Sequence, residues 1–112
     1  MKITQQRTGP AAVVTPQGAI IGVEADQLST LLTQLMAEGA HAITIDLSDV
    51  SFVDSRGLEV LMEAGEQLIR AGKPLRLAGA NDILREVLRL TGLAPLFEFV
   101  STAGSIPQAG QK

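Results

Sequence analysis

The chain has 112 residues, 46% of them hydrophobic and 19% charged, and a formal charge of −3, a length at which one hydrophobic core is the ordinary outcome. Nine Lys and Arg stand against twelve Asp and Glu with no long run of either sign, and Phe52, Phe97 and Phe99 are the only aromatic residues; this excludes the basic footprint of a nucleic-acid or anionic-membrane binder and the ring platforms that stack bases or sugars. The absence of cysteine removes disulfides, thiolate zinc sites and cysteine nucleophiles.

Residues 2–7 and 11–15 contain Ile3, Val13 and Val14 and are separated by Thr8-Gly9-Pro10, a turn signal that predicts an opening β-hairpin. Pro16 is expected to end the second strand, and Gly18 to open a loop. From Glu24 onward, Ala25, Leu28, Leu31, Leu32, Leu35 and Met36 recur at helical spacing, with Gly39 as the stop. Ala42 to Leu47 alternates apolar and polar with β-branched residues and predicts a central strand.

After Ser48–Asp54, a second helical stripe runs through Leu58, Leu61, Met62, Gly65, Leu68 and Ile69 and closes at Gly72 and Pro74. Leu75 to Ala78 predicts a further strand, Gly79 to Asp82 a loop with capping residues, and Ile83, Leu84, Val87, Leu88 and Leu90 a third helix stopped by Gly92. Leu96 to Val100 predicts a last short strand, and the small polar residues after it a flexible tail. The expected order is ββαβαβαβ. It implies an α/β fold with a mixed sheet, a β-hairpin followed by parallel βαβαβα units and helices packed against the sheet, in a single domain over 1–100 with a tail over 101–112.

Little of this chain points to catalysis. His41 is the only imidazole, and it falls between a predicted helix end and a strand start, the place of a solvated histidine near a helix C-terminus. No second histidine completes a metal pair, and Asp46, Asp49 and Asp54 lack the spacing of a calcium loop. The glycines do not form a phosphate-cradling motif, and the G-x-S-x-G of a hydrolase elbow is missing. The expectation is a protein that is not an enzyme, with no cofactor and no metal, whose partner is another protein. The residues from Met1 to Arg7 turn polar where a signal peptide turns apolar, and no apolar run reaches the roughly 18 residues needed to cross a bilayer. A cytoplasmic chain without membrane insertion is expected.

The informative segment is Asp46-Leu-Ser-Asp-Val-Ser-Phe-Val-Asp-Ser-Arg-Gly-Leu58, which leads from a strand end into a helix start, the end of a parallel sheet where binding sites collect. Ser55 falls at the helix entry. Its hydroxyl can cap free backbone amides, and the same helix N-terminus can accommodate a phosphate on it. Arg56 opposes the helix dipole in the first turn and so calls for a local partner, with Asp54, Glu59 or a phosphate within reach. Ile20, Ile21 and Val23 either pack beneath the loop or form an apolar contact patch.

That segment resembles the D-L-S-x-V-x-F-x-D-S-x-G-L signature of STAS-domain anti-sigma-factor antagonists. Gly72-Lys-Pro-Leu-Arg-Leu-Ala-Gly79 and Val87-Leu-Arg-Leu-Thr-Gly-Leu93 are similar to that family's next strand and to the ending of its third helix. The resemblance implies partner switching. By that resemblance an anti-sigma factor serine kinase would bind the unphosphorylated chain, phosphorylate Ser55 and release it, and a serine phosphatase would restore binding. It further implies that Asp54 orients the acceptor, that Gly57 makes the turn of the motif and that Leu58 is the first buried helix residue. Helix two and the 18–25 loop would face the kinase, which places Asp54, Ser55, Arg56, Gly57, Glu59, Ile21 and Glu24 at the partner surface of a monomer or weak dimer. Ile21 and Glu24 stand where many relatives carry Asp and Thr. The rival reading is a STAS scaffold that is never phosphorylated, a subunit of a lipid-transport or stress-signalling complex in which Ser55 serves as a cap.

Overall fold

The computed structural model describes residues 2–101. Its elements in chain order are β1 (Lys2–Thr8), β2 (Ala11–Ile20), α1 (Gly22–Ala37), β3 (Ala42–Asp46), β4 (Val50–Val53), α2 (Ser55–Arg70), β5 (Leu75–Ala78), α3 (Asp82–Leu90), a 3₁₀ turn (Ala94–Leu96) and β6 (Phe97–Val100). The mixed sheet runs β1-β2-β3-β5-β6, with β4 attached to β2. Only β1 is antiparallel to its neighbour. The expected α/β class and opening hairpin therefore hold, and the expected tail lies, from Thr102 on, outside the described residues.

Register lays the side chains out in rows. Val13, Thr44, Arg76 and Glu98 stand side by side across β2, β3, β5 and β6, and Val14, Ile45, Leu77 and Phe99 form the next row. Successive residues of a strand point to opposite faces, so the rows belong to different sides of the sheet. The Val14 row packs into one core with Leu28 and Leu32 of α1, Leu61 and Leu68 of α2, and Leu84 and Leu88 of α3. The other row is closed by the Arg76–Glu98 ion pair at 2.9 Å. Full burial of an aliphatic side chain of this size contributes roughly 1.5–3 kcal/mol, which gives the leucine stripes the energy to hold three helices on one face.

Two sequence expectations are corrected here. The second strand does not stop at Pro16: it runs to Ile20, with Gly18 inside it at φ +101°. β2 pairs with β3 from Ala11 to Val14 and then with β4 from Gly18 to Ile20, across a register shift. Pro16 falls in the gap between these two partners, so its missing N–H leaves no ladder position empty on that side. The second correction is β4 itself, which makes the order ββαββαβαβ. Leu47–Asp49 is all that separates it from β3.

The helices begin earlier and bury less than their stripes suggest. α1 starts at Gly22 rather than Glu24, while α2 starts at Ser55, the helix entry expected from the sequence. Leu58, expected as the first buried residue of α2, is only partly buried, while Gly57 is buried. In α3, Ile83 and Leu90 are 78% and 68% exposed, leaving Leu84 and Leu88 as its buried residues. The three glycine stops hold: Gly39, Gly72 and Gly92 have φ of +95°, +93° and +78° just past α1, α2 and α3, the left-handed conformation that costs glycine least.

Candidate functional site

Parallel strands that each feed a helix bring the helix starts to one end of the sheet. β2 delivers α1, β4 delivers α2 and β5 delivers α3 there. Gly57, in the first turn of α2, is what lets α2 approach β2 so closely. A Cβ on it would stand 2.5 Å from the Ile20 carbonyl oxygen and 2.6 Å from Val53 Cγ1, inside any real contact. Its expected role as a turn residue is thus corrected to one of close approach within the helix.

The cap of α2 is Asp54, not Ser55. Asp54 is extended, at φ −88° and ψ −173°, and its Oδ1 accepts from the Gly57 amide at 2.8 Å, the geometry of a side-chain N-cap. Ser55 is the first helical residue. Both residue types cap well; the choice falls on Asp54 because β4 carries the extended chain as far as Val53 and fixes where helical dihedrals can begin.

The second oxygen of that carboxylate reaches another helix. Oδ2 of Asp54 accepts from the Gly22 amide at 3.2 Å. α1 needs this, because its own N-cap residue is Ile21, which has no side-chain acceptor to offer. One aspartate therefore satisfies free amides at the starts of two helices. The Asp54 amide in turn donates to the Ile20 carbonyl at 3.3 Å.

Arg56 makes a second tie between the same two helices. Its guanidinium donates to Asp26 of α1 at 2.8 Å and to Glu59 of α2 at 2.7 Å. The hydrogen bonds it donates, to Asp26 first and then to Glu59, raise its pKa above the ordinary arginine value. Of the partners expected from the sequence, Glu59 is found and Asp54 is not, because the Asp54 carboxylate is occupied by backbone amides. Asp26 is the residue that sequence reasoning missed. Its only signal was a carboxylate in the first turns of a neighbouring helix, and the distance between two helices is not written in either of them.

Ser55 itself is exposed, and its hydroxyl bonds to none of the described residues. The amides of Ser55 and Arg56, the first two of α2, have no intrahelical acceptor. Around this helix start stand Ile21, the N-cap residue of α1, and Val23 in its first turn, 37% and 71% exposed, and Phe52 of β4, 60% exposed. Ile20 is fully buried. The two sequence readings of Ile20, Ile21 and Val23 therefore divide, Ile20 to the core and the other two to the surface. Glu24 is partly buried in the first turn of α1. Among the described residues, no three His, Cys, Asp or Glu side chains stand close enough to hold a metal ion, and no helix is long and apolar enough to cross a membrane.

Comparison with known proteins agrees with this architecture. The anti-sigma-B factor antagonist of Listeria monocytogenes is 29% identical over 89 residues, 80% of this chain and 78% of that protein. The crystal structure of an anti-sigma factor antagonist from Mycobacterium paratuberculosis superposes with a TM-score of 0.82 at 26% identity, covering 99% of this chain and 94% of that one. The anti-sigma factor antagonist SpoIIAA in its unphosphorylated form shares the fold, with a TM-score of 0.80 at 17% identity over 99% of this chain and 98% of that one. The sequence profile of the STAS domain matches residues 2–106. With nearly the whole chain spanned by that profile and the fold shared with solved relatives, this protein belongs to the STAS domain family.

Proposed function

We propose that this chain is an anti-sigma factor antagonist that acts by partner switching, with Ser55 as the phosphorylated residue. The observation that carries the reading is the state of Ser55: exposed, at the first position of α2, with no hydrogen bond to any described residue. The capping duty that would account for a serine there in a scaffold protein is performed by Asp54. The relatives named as anti-sigma factor antagonists support the general role.

The chemistry at this end suits a reversible charge switch. A phosphate on Ser55 carries about −1.5 to −2 charges at pH 7 and meets the two open amides and the positive end of the α2 dipole, so it is tolerated by the fold. It also adds charge beside the carboxylates of Asp54, Asp26 and Glu59, which changes what this surface attracts. Each 1.4 kcal/mol lost from a complex is about tenfold in affinity, so a modest repulsion is enough to release a partner without refolding. In this reading the unphosphorylated chain binds an anti-sigma factor serine kinase, the phosphorylated chain lets it go, and a serine phosphatase resets it. The chain contributes a surface and an acceptor and no catalysis of its own.

The test is intact mass spectrometry after incubation with each purified anti-sigma serine kinase of the source organism and ATP. One added phosphate, mapped to Ser55 and absent from Ser55→Ala, is expected; Ser55→Asp should lose kinase binding while Ser55→Ala keeps it. A stable complex with no phosphate transfer would instead select the scaffold reading.

A further inference from the structure

Six large apolar side chains are well exposed among the described residues: Ile21, Val23, Phe52, Ile69, Ile83 and Leu90. Four of them, Ile21, Val23, Phe52 and Ile83, belong to the end of the sheet where the helices start. Ile69 and Leu90 lie at the opposite ends of α2 and α3. Scattered exposed apolar residues are normal, but a concentration at one end marks an interaction surface.

Phe52 and Ile83 line one groove together, whereas Ile21 borders a separate hollow with Gln17 and Glu24. Phe52 and Ile83 are the walls of that groove, between β4 and the first two turns of α3, with Val53, Leu84 and Val87 beneath them and Ser51 and Asn81 as its polar lining. None of these residues is ionisable. Asn81 is already committed, its Oδ1 accepting from the Leu84 amide at 2.8 Å as the cap of α3. The charges that flank the groove along the chain at Asp49, Asp54 and Asp82 are acidic, while Arg85 is turned onto the Phe99 ring, 4.8 Å from its centroid. The opening therefore suits an uncharged apolar group that arrives with basic neighbours. It lies alongside β4, the strand that ends one residue before the cap of α2 and two before Ser55.

We infer that this groove is a second docking element for the kinase that acts on Ser55, receiving one aliphatic or aromatic side chain of the kinase flanked by a basic residue. The inference rests on the antagonist reading above and extends it from the α1–α2 face to the β4–α3 face. Ser55 then lies between two apolar contacts, Ile21 and Val23 on one side and the groove on the other. Phosphorylation alters the charge between them while both stay in place, and rebinding after phosphate removal needs no rebuilding of either.

The experiment uses the full chain and a purified anti-sigma serine kinase that phosphorylates it. Dissociation constants are measured by calorimetry without ATP for the wild type, Phe52→Ser, Ile83→Ser and the control Ile69→Ser. The groove variants are expected to bind about tenfold or more weakly, as for anchor residues at an interface. Ile69→Ser should stay within about twofold, and all should keep the wild-type melting curve because the altered side chains are exposed. Amide shifts of Val53 and Val87 on kinase binding are the second readout. Groove variants that bind as tightly as the wild type, with those amides unmoved, overturn the inference while leaving the antagonist reading standing. A wild-type chain that none of the organism's purified anti-sigma serine kinases binds or phosphorylates overturns both. A change in the sedimentation of the chain alone on Phe52→Ser would make a second copy the occupant, and overturns the inference as stated.

Discussion

Replacing Asp54 by alanine removes two hydrogen bonds at once, from the Gly57 amide at 2.8 Å and from the Gly22 amide at 3.2 Å. Loss of an N-cap costs about 0.5–2 kcal/mol, and a hydrogen bond to a charged group contributes about 1.5–3 kcal/mol. The Gly22 bond is long and exposed and deserves the low end of that range, so the sum for Asp54→Ala is roughly 2–3 kcal/mol. Asn81→Ala provides the internal standard. It removes one cap bond, from Leu84 at 2.8 Å, and should cost about 1 kcal/mol. Urea denaturation followed by circular dichroism is the assay, since the chain has no Trp or Tyr to report by fluorescence. The midpoint should fall for both variants at unchanged m-value, with Asp54→Ala losing about twice the free energy of Asn81→Ala. Equal losses would show that the Gly22 bond carries no energy and that the double cap is only geometric.

Two further variants test the close approach of α2 and the surface tie. Gly57→Ala should destabilise by about 1–3 kcal/mol through overpacking, although alanine is the better helix former by about 1 kcal/mol, because its Cβ has nowhere to go between Ile20 and Val53; a stabilised variant in the same urea titration would refute this. Arg56→Ala should shift the urea midpoint little, and less still in high salt, since its ion pairs with Asp26 and Glu59 are exposed. A large loss that is insensitive to salt would contradict that account.

The parts of the fold that were legible in the sequence are those written as periodicity or as a glycine stop. The Leu28–Leu35 stripe, the alternation of Ile43 to Ile45 and the glycines at 39, 72 and 92 each settle a local question with local information. β4 was not legible because its burial does not alternate: Val50 is buried, Ser51 and Phe52 are exposed, and Val53 lies between. It exists because the far half of β2 needs a partner once β3 has moved on. The same non-local cause extended β2 beyond Pro16. At the site, the segment around Ser55 was found by its motif and its place at a strand-to-helix junction. Which residue caps, and which carboxylates hold Arg56, depended on the distance between α1 and α2. Phe52 and Ile83 were read as part of an unassigned stretch and of a buried stripe, since a groove has no signature in either segment alone.

The shared carboxylate of Asp54 has a consequence for motion. Helix ends ordinarily fray one at a time, each at its own small free-energy cost. Here the first turn of α1 cannot open without giving up a bond to the residue that also holds the first turn of α2. The Gly22 and Gly57 amides should therefore exchange with solvent deuterium as one unit, at a common rate. The surface around Ser55 then meets a partner either wholly formed or wholly open, and half-formed versions of it are rare.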